Sequence, residues 1–197
     1  MADILVLFYS SNGSVRTLAD SVARGIETVE GMRARVRTVP RVSPVTEVAA
    51  LAVPSSGPPY VEARDLEECV GLALGSPTRF GNMAAPVKHY LDSLGSEWSR
   101  GTLVGKPAAV FTSTSSMHGG QEATLLTMMV PLLHHGMVLV GIPYTEPDLN
   151  TTKGGGTPYG ASHVAGPLGG LAVSDEEKRL ARALGKRLAG IAGKLAA

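Results

Sequence analysis

Six consecutive residues, Ser10-Ser11-Asn12-Gly13-Ser14-Val15, carry the first chemistry in the chain. Three hydroxyls and a glycine separate an apolar run, residues 4–9, from a helical pattern of Val15, Leu18, Ala19, Val22, Ala23 and Ile26. A strand that feeds such a turn into a helix collects free backbone N–H groups and the positive end of the helix dipole, which is what a bound phosphate requires. A plain strand-to-helix turn with Ser14 as N-cap accounts for the same letters, so other loops must decide. Two have suitable composition. Ser76-Pro77-Thr78-Arg79-Phe80-Gly81-Asn82-Met83 follows the apolar run 69–75, and Thr114-Ser115-Ser116-Met117-His118-Gly119-Gly120 follows the run 108–113.

The elements that must position these loops alternate along the chain. Strands are expected at 4–9, 34–39, 69–75, 108–113 and 137–140, the second of them near a sheet edge. Helices are expected at 15–28, 86–94 and 121–134, with Pro131 kinking or shortening the last. A final helix opens with a capping box of Ser174 and Glu177 and continues through Leu180, Leu184, Leu188, Ile191 and Leu195 on one face. Residues 95–106 read as loop. Five strands alternating with helices predict an α/β fold, a doubly wound parallel sheet with helices on both faces. The 197 residues fit one domain with long insertions at about 40–64 and 143–170. The three loops follow strands one, three and four, so they meet at the carboxyl edge of the sheet, where such folds bind ligands.

Composition removes several classes of function. A formal net charge of +1, with 18 basic and 17 acidic residues interspersed, gives no reason to expect nucleic acid or a membrane surface. Cys69 is the only cysteine and lies in an apolar run, so it reads as a buried structural thiol. The N-terminus has neither a basic region nor a long apolar one, and a cytoplasmic protein is expected. There is no GxGxxG after the first strand, no GxxxxGK[ST] and no GxSxG, and no His, Cys and carboxylate cluster has metal-ligand spacing. Tyr9, Ser10, Gly75 and Ser76 stand where a phosphoacceptor domain would carry carboxylates.

What remains is a phosphate site of hydroxyls and backbone amides with no obligatory lysine. Beside it lie one loop carrying Arg79 and Phe80 and another carrying glycines and a histidine. This combination suits a flavin mononucleotide, FMN, whose ring a protein tunes by placing donors where negative charge develops.

Several segments are specific in combination. GSPTRFGNM at 75–83, Trp98, GGQE at 119–122, His134-His135-Gly136-Met137 and GGGTPYGA at 154–161 occur in that order. With residues 4–13 and 105–114 they resemble the WrbA-type NAD(P)H:quinone oxidoreductases, flavodoxin-like FMN proteins, over almost the whole chain. The resemblance implies that Ser10, Ser11, Asn12, Gly13, Ser14 and Val15 hold the FMN phosphate. It implies that Pro77, Thr78, Arg79, Phe80 and Gly81 meet the ribityl chain and ring. Ser113, Thr114, Ser115, Ser116, Met117, His118 and Gly119 would hold the ring edge, and His134 would border the flavin. Trp98 and Asn12 would face the substrate. NADH or NADPH is the implied donor, a quinone the acceptor, ping-pong the implied kinetics, and a homotetramer the implied assembly, with a neighbouring subunit helping to wall the site.

Two departures stand out. The family commonly has an aromatic residue near position 12, and the Ser115-Ser116-Met117-His118 stretch replaces a shorter, glycine-richer loop. A one-electron carrier of flavodoxin type and a non-catalytic flavin-binding regulator are the alternatives, the near-neutral charge arguing against the first.

Overall fold

A computed structural model describes residues 1–42 and 56–196. Much of the expected 40–64 insertion, residues 43–55, lies outside the described residues. The elements are β1 (Ala2–Phe8), α1 (Ser14–Ile26), β2 (Met32–Thr38), α2 (Ala63–Glu68), β3 (Cys69–Arg79), β4 (Asn82–Met83) and α3 (Ala85–Asp92). They continue with α4 (Gly95–Ser99), β5 (Pro107–Thr114), α5 (Gln121–His134), β6 (Val138–Leu139), α6 (Asp148–Thr151), β7 (Ala161–Val164) and α7 (Asp175–Leu195).

The sheet runs β2-β1-β3-β5-β6 with parallel pairing throughout this path. The expected fifth strand is in two pieces. β6 pairs with the start of β5, at Pro107 and Ala108, while β7 pairs with its end, from Phe111 to Thr114. The chain leaves the sheet between them, which places a long insertion inside one strand position.

Alternation along β1 builds both cores. Ile4, Val6 and Phe8 pack with α1 and α7, whereas Leu5 and Leu7 pack with Val87 of α3 and Leu125, Met128 and Leu132 of α5. Each such side chain contributes about 1.5–3 kcal/mol by leaving water. Helices α1 and α7 touch backbone to backbone. A methyl at Gly185 would sit 2.1 Å from the Val22 carbonyl oxygen, and one at Gly25 would sit 2.0 Å from that of Arg182.

β2 is an edge strand, as its basic residues predict. Arg33 grips Asp3 through two bonds of 2.6 and 2.8 Å, and Arg35 bonds both Asp3 and Asp65. Arg37 bonds Asp65 at 2.9 Å. The Arg33 hydrogen bond, aided by Arg35 and opposed by burial, holds the Asp3 carboxyl below its ordinary range. Burial would raise that of Asp65, but the Glu62 N–H, Arg37 and Arg35 outweigh it and the net shift is downward. The charged edge also discourages pairing with another sheet.

Three local expectations need correction. β3 does not stop at Gly75 but runs to Arg79, because β1 ends opposite Gly75, so the missing Pro77 N–H breaks no ladder with it, while β5 and then β4 still lie alongside. Residues 95–106 contain a short helix, α4. Pro131 does not shorten α5, which runs on to His134 although the missing Pro131 N–H removes the helical bond to the Thr127 carbonyl.

Candidate functional site

The turn after β1 enters α1 through Gly13, whose φ of 90° makes it the N-cap; Ser14 is the first helical residue, which removes its reading as cap. The Ser10 hydroxyl oxygen accepts from the Gly13 N–H at 3.1 Å and the Arg16 N–H at 3.4 Å. Gly13 has no side chain with which to cap the helix, and the N–H groups of Ser14 and Val15 take no acceptor among the described residues. An anion placed there meets open donors and the positive helix end.

The extension of β3 turns back through Phe80-Gly81 into β4, with Thr78 opposite Met83 and Arg79 opposite Asn82. Both turn residues have positive φ, 54° for Phe80 and 77° for Gly81, as tight two-residue hairpins require. Phe80 therefore stands fully exposed on a left-handed backbone that a bulky residue rarely adopts. The Thr78 hydroxyl meets that of Thr124 at 2.7 Å, which ties the hairpin to α5. Arg79 donates to the Thr78 carbonyl at 2.7 Å and the Ser11 hydroxyl at 2.9 Å, joining the second loop to the first. It has no carboxylate partner among the described residues, so its charge is available to a ligand.

The third loop leaves β5 at Thr114, whose hydroxyl donates to the Ser116 carbonyl at 2.8 Å. The three loops enclose a cleft of about 260 Å³ lined by Ser10, Ser11, Asn12, Ser14, Val15, Pro77, Thr78, Arg79, Ser113, Thr114 and Ser115. Its remaining wall is Ala165, Gly166, Pro167, Leu168 and Gly169. No Asp or Glu is among these residues, and Arg79 is the one with a formal charge. Hydroxyls, open amides and one guanidinium form a donor set for a phosphate and a polar, flat ligand edge. An FMN fits this donor set.

Eleven of the expected site residues thus line one cleft. Gly13 belongs to the same loop, and Phe80 and Gly81 form the hairpin tip beside it. Ser116, His118 and Gly119 continue the third loop without lining the cleft, and Met117 faces a neighbouring groove with Val164 and Leu171. Two residues lie elsewhere in the chain. His134 ends α5, about 20 Å from the helix start that touches the hairpin. Trp98 is beside it, its indole N–H donating to the His134 carbonyl at 2.8 Å. Both are exposed, whereas His135 is buried with its Nδ1 unpartnered. The 165–169 wall escaped the sequence reading. The short, glycine-rich run Gly166-Pro167-Leu168-Gly169-Gly170 after an unrecognised strand was its only signal.

The family model described as NADPH-dependent FMN reductase matches residues 3–145. A protein of Chromohalobacter salexigens named NAD(P)H dehydrogenase (quinone) is 43% identical, with all of both chains covered. One of the same name from Syntrophobacter fumaroxidans is 40% identical over 98% of each chain. Among solved structures, a flavodoxin, WrbA-like protein from Agrobacterium tumefaciens superposes with a TM-score of 0.70 at 19% identity, covering 98% of this chain and 99% of that one. Oxidised flavodoxin 1 from Bacillus cereus gives 0.63 at 19% identity, covering 96% and 98%. These structures show the flavodoxin-like fold.

Proposed function

The chain belongs to the NADPH-dependent FMN reductase family, and on that premise we propose that it holds FMN in the three-loop cleft and passes two electrons from NADH or NADPH to a quinone. The observation that carries the reading is the acid-free cleft in which open amides of α1, the Ser10, Ser11 and Ser14 hydroxyls and Arg79 converge. Relatives covering the full length bear the name NAD(P)H dehydrogenase (quinone).

When bound, FMN supplies the hydride and electron chemistry, so no protein nucleophile is needed. The chain's own residues bind and orient. Ser14 and Val15 amides with the Ser10 hydroxyl hold the phosphate; Thr78 and Arg79 direct the side chain and ring edge; Ser113, Thr114 and Ser115 present polar atoms along the other edge. Donor and acceptor use one open face in turn, which gives ping-pong kinetics. Asn12, at the mouth, replaces the aromatic residue common in relatives of WrbA type and contacts the nicotinamide or quinone by hydrogen bonds instead of stacking.

The active assembly is a homotetramer, in which Trp98 and His134 complete the site of a neighbouring subunit. Supporting this, α5 exposes Leu126, Val130 and Leu133 on one face, next to exposed Trp98, Val104 and Val138 at its end. No helix among the described residues is long and apolar enough to cross a membrane; a cytoplasmic location agrees with the single, buried, unpaired Cys69. Anaerobic addition of NADH or NADPH to flavin-loaded protein tests the activity, and light scattering tests the assembly.

A further inference from the structure

The wall formed by residues 165–169 hangs from a buried histidine. His163 in β7 and Glu177 in α7 are 1% and 3% exposed. The Glu177 carboxylate accepts from the Gly155 N–H at 2.8 Å, the Val164 N–H at 3.2 Å, the Ser174 N–H at 2.8 Å and His163 Nδ1 at 2.7 Å. On the other side of the ring, His163 Nε2 faces the Leu171 carbonyl oxygen at 3.1 Å. A carboxylate and a carbonyl are acceptors only, so both contacts are satisfied together only when both ring nitrogens carry protons. With either proton gone, a nitrogen lone pair points at an oxygen beside a ring that is itself 1% exposed.

Leu171 closes the loop that carries the cleft wall. Its N–H donates to the Ala165 carbonyl at 3.0 Å, and the Ala165 N–H donates to the Thr114 carbonyl at 2.8 Å. Residues 166–170 are thus a small loop whose two ends meet at Ala165 and Leu171, and His163 grips the second end through the Leu171 carbonyl. His163 also lies opposite Ser113 in the β5–β7 register, so the grip and the cleft share one strand pair.

We propose that His163 is a positioning residue for the cleft: as an imidazolium between Glu177 and the Leu171 carbonyl, it holds the 165–171 loop in the shape that forms the ligand wall. This rests on the cleft being the FMN site. When the Nε2 proton leaves, the Leu171 contact turns repulsive, the loop loosens and ligand affinity falls. Other charges near this face come from α6, α7 and the turn before Gly154. Arg179 is paired with Asp148 at 2.7 and 3.0 Å and lies 3.8 Å from Glu176, Asp175 pairs with Lys178, and Lys153 precedes the turn. Glu177 is the one in contact with the ring, and burial, which opposes its ionisation, is outweighed by His163 and the Ser174 and Gly155 amides, so its carboxyl titrates below the ordinary range.

The test uses the full-length apo-protein. Long-range ¹H–¹⁵N correlation of the His163 ring across a pH series reads both nitrogens, while amide exchange reads the Leu171 N–H. In the folded protein Nε2 is protonated at the acid end of the series, and loss of that proton coincides with loss of Leu171 protection. FMN affinity is titrated in the wild type across the same series. H163Q lowers FMN affinity about tenfold, the worth of one buried charged hydrogen bond, and keeps only the pH dependence that FMN itself brings. An unprotonated Nε2 throughout, or Leu171 protection unchanged in H163Q, overturns the proposal. So does wild-type FMN affinity in a folded H163Q. If H163Q does not fold, the wild-type ring and exchange measurements decide alone. If the wild type binds no FMN, the cofactor reading fails, and those two measurements still decide whether His163 holds the loop.

Discussion

Ser10→Asp is the sharpest perturbation of the loop to which we assign the phosphate. Its side chain occupies the place of a hydroxyl that now bonds the Gly13 and Arg16 N–H groups. The new carboxylate takes those same donors and sets a negative charge one hydrogen-bond shell from the bound phosphate. At a separation of about 4 Å and an effective dielectric constant of about 20, a pair of unit charges repels by about 4 kcal/mol. The loop is partly exposed, so water and salt reduce this to about 1.5–3 kcal/mol, or 10- to 150-fold in Kd. Fluorescence quenching on titrating apo-protein measures it directly. Riboflavin, which lacks the phosphate, is the control, and its affinity changes less than threefold. Equal losses for FMN and riboflavin, or an unchanged FMN affinity, would refute the assignment of the phosphate to this loop.

Two glycines of α7 respond oppositely to the same change. At Gly185 a methyl meets the Val22 carbonyl oxygen, so Gly185→Ala forces α1 and α7 apart and destabilises by about 2–3 kcal/mol. At Gly190 nothing lies within 4 Å, so Gly190→Ala gains helix propensity and stabilises by up to about 1 kcal/mol; urea unfolding separates the two. Asp3, Asp65 and Glu177 all titrate below their ordinary values. Their stabilisation is complete above the unfolded carboxylate range and is lost as pH falls through the folded values, so Tm declines below about pH 4. Asp65→Asn has a lower Tm at neutral pH and a shallower acid decline. The Cys69 thiol is raised by burial, which outweighs nearby Lys106 and Arg35; its reaction with a disulfide reagent tracks unfolding, and fast labelling of native protein would contradict the burial.

The parts legible in the sequence were those where local and tertiary signals agree. Residues 4–9 are apolar because β1 is covered on both faces, and the Ser174–Glu177 capping box forms as its letters suggest. The three loops converge because parallel strands one, three and four end on one side. What was not legible depended on neighbours far away in sequence. Pro77 is tolerated in β3 because β1 has already ended, and β7 is recognisable as a strand only through its pairing with β5. The 165–169 wall followed that missed strand. The buried role of His163 needed Glu177 and Leu171, 14 and 8 residues away, to be brought to its two nitrogens. Trp98 and His134 illustrate the opposite case, in which the resemblance names residues that the fold places at the far end of α5 from the hairpin.

One spectrum tests the central claim most directly. Protein reconstituted with FMN and held without oxygen should lose its visible flavin absorbance on adding NADH or NADPH and regain it when benzoquinone follows. Absorbance unchanged by both nicotinamides, in protein that demonstrably holds FMN, would contradict the oxidoreductase reading.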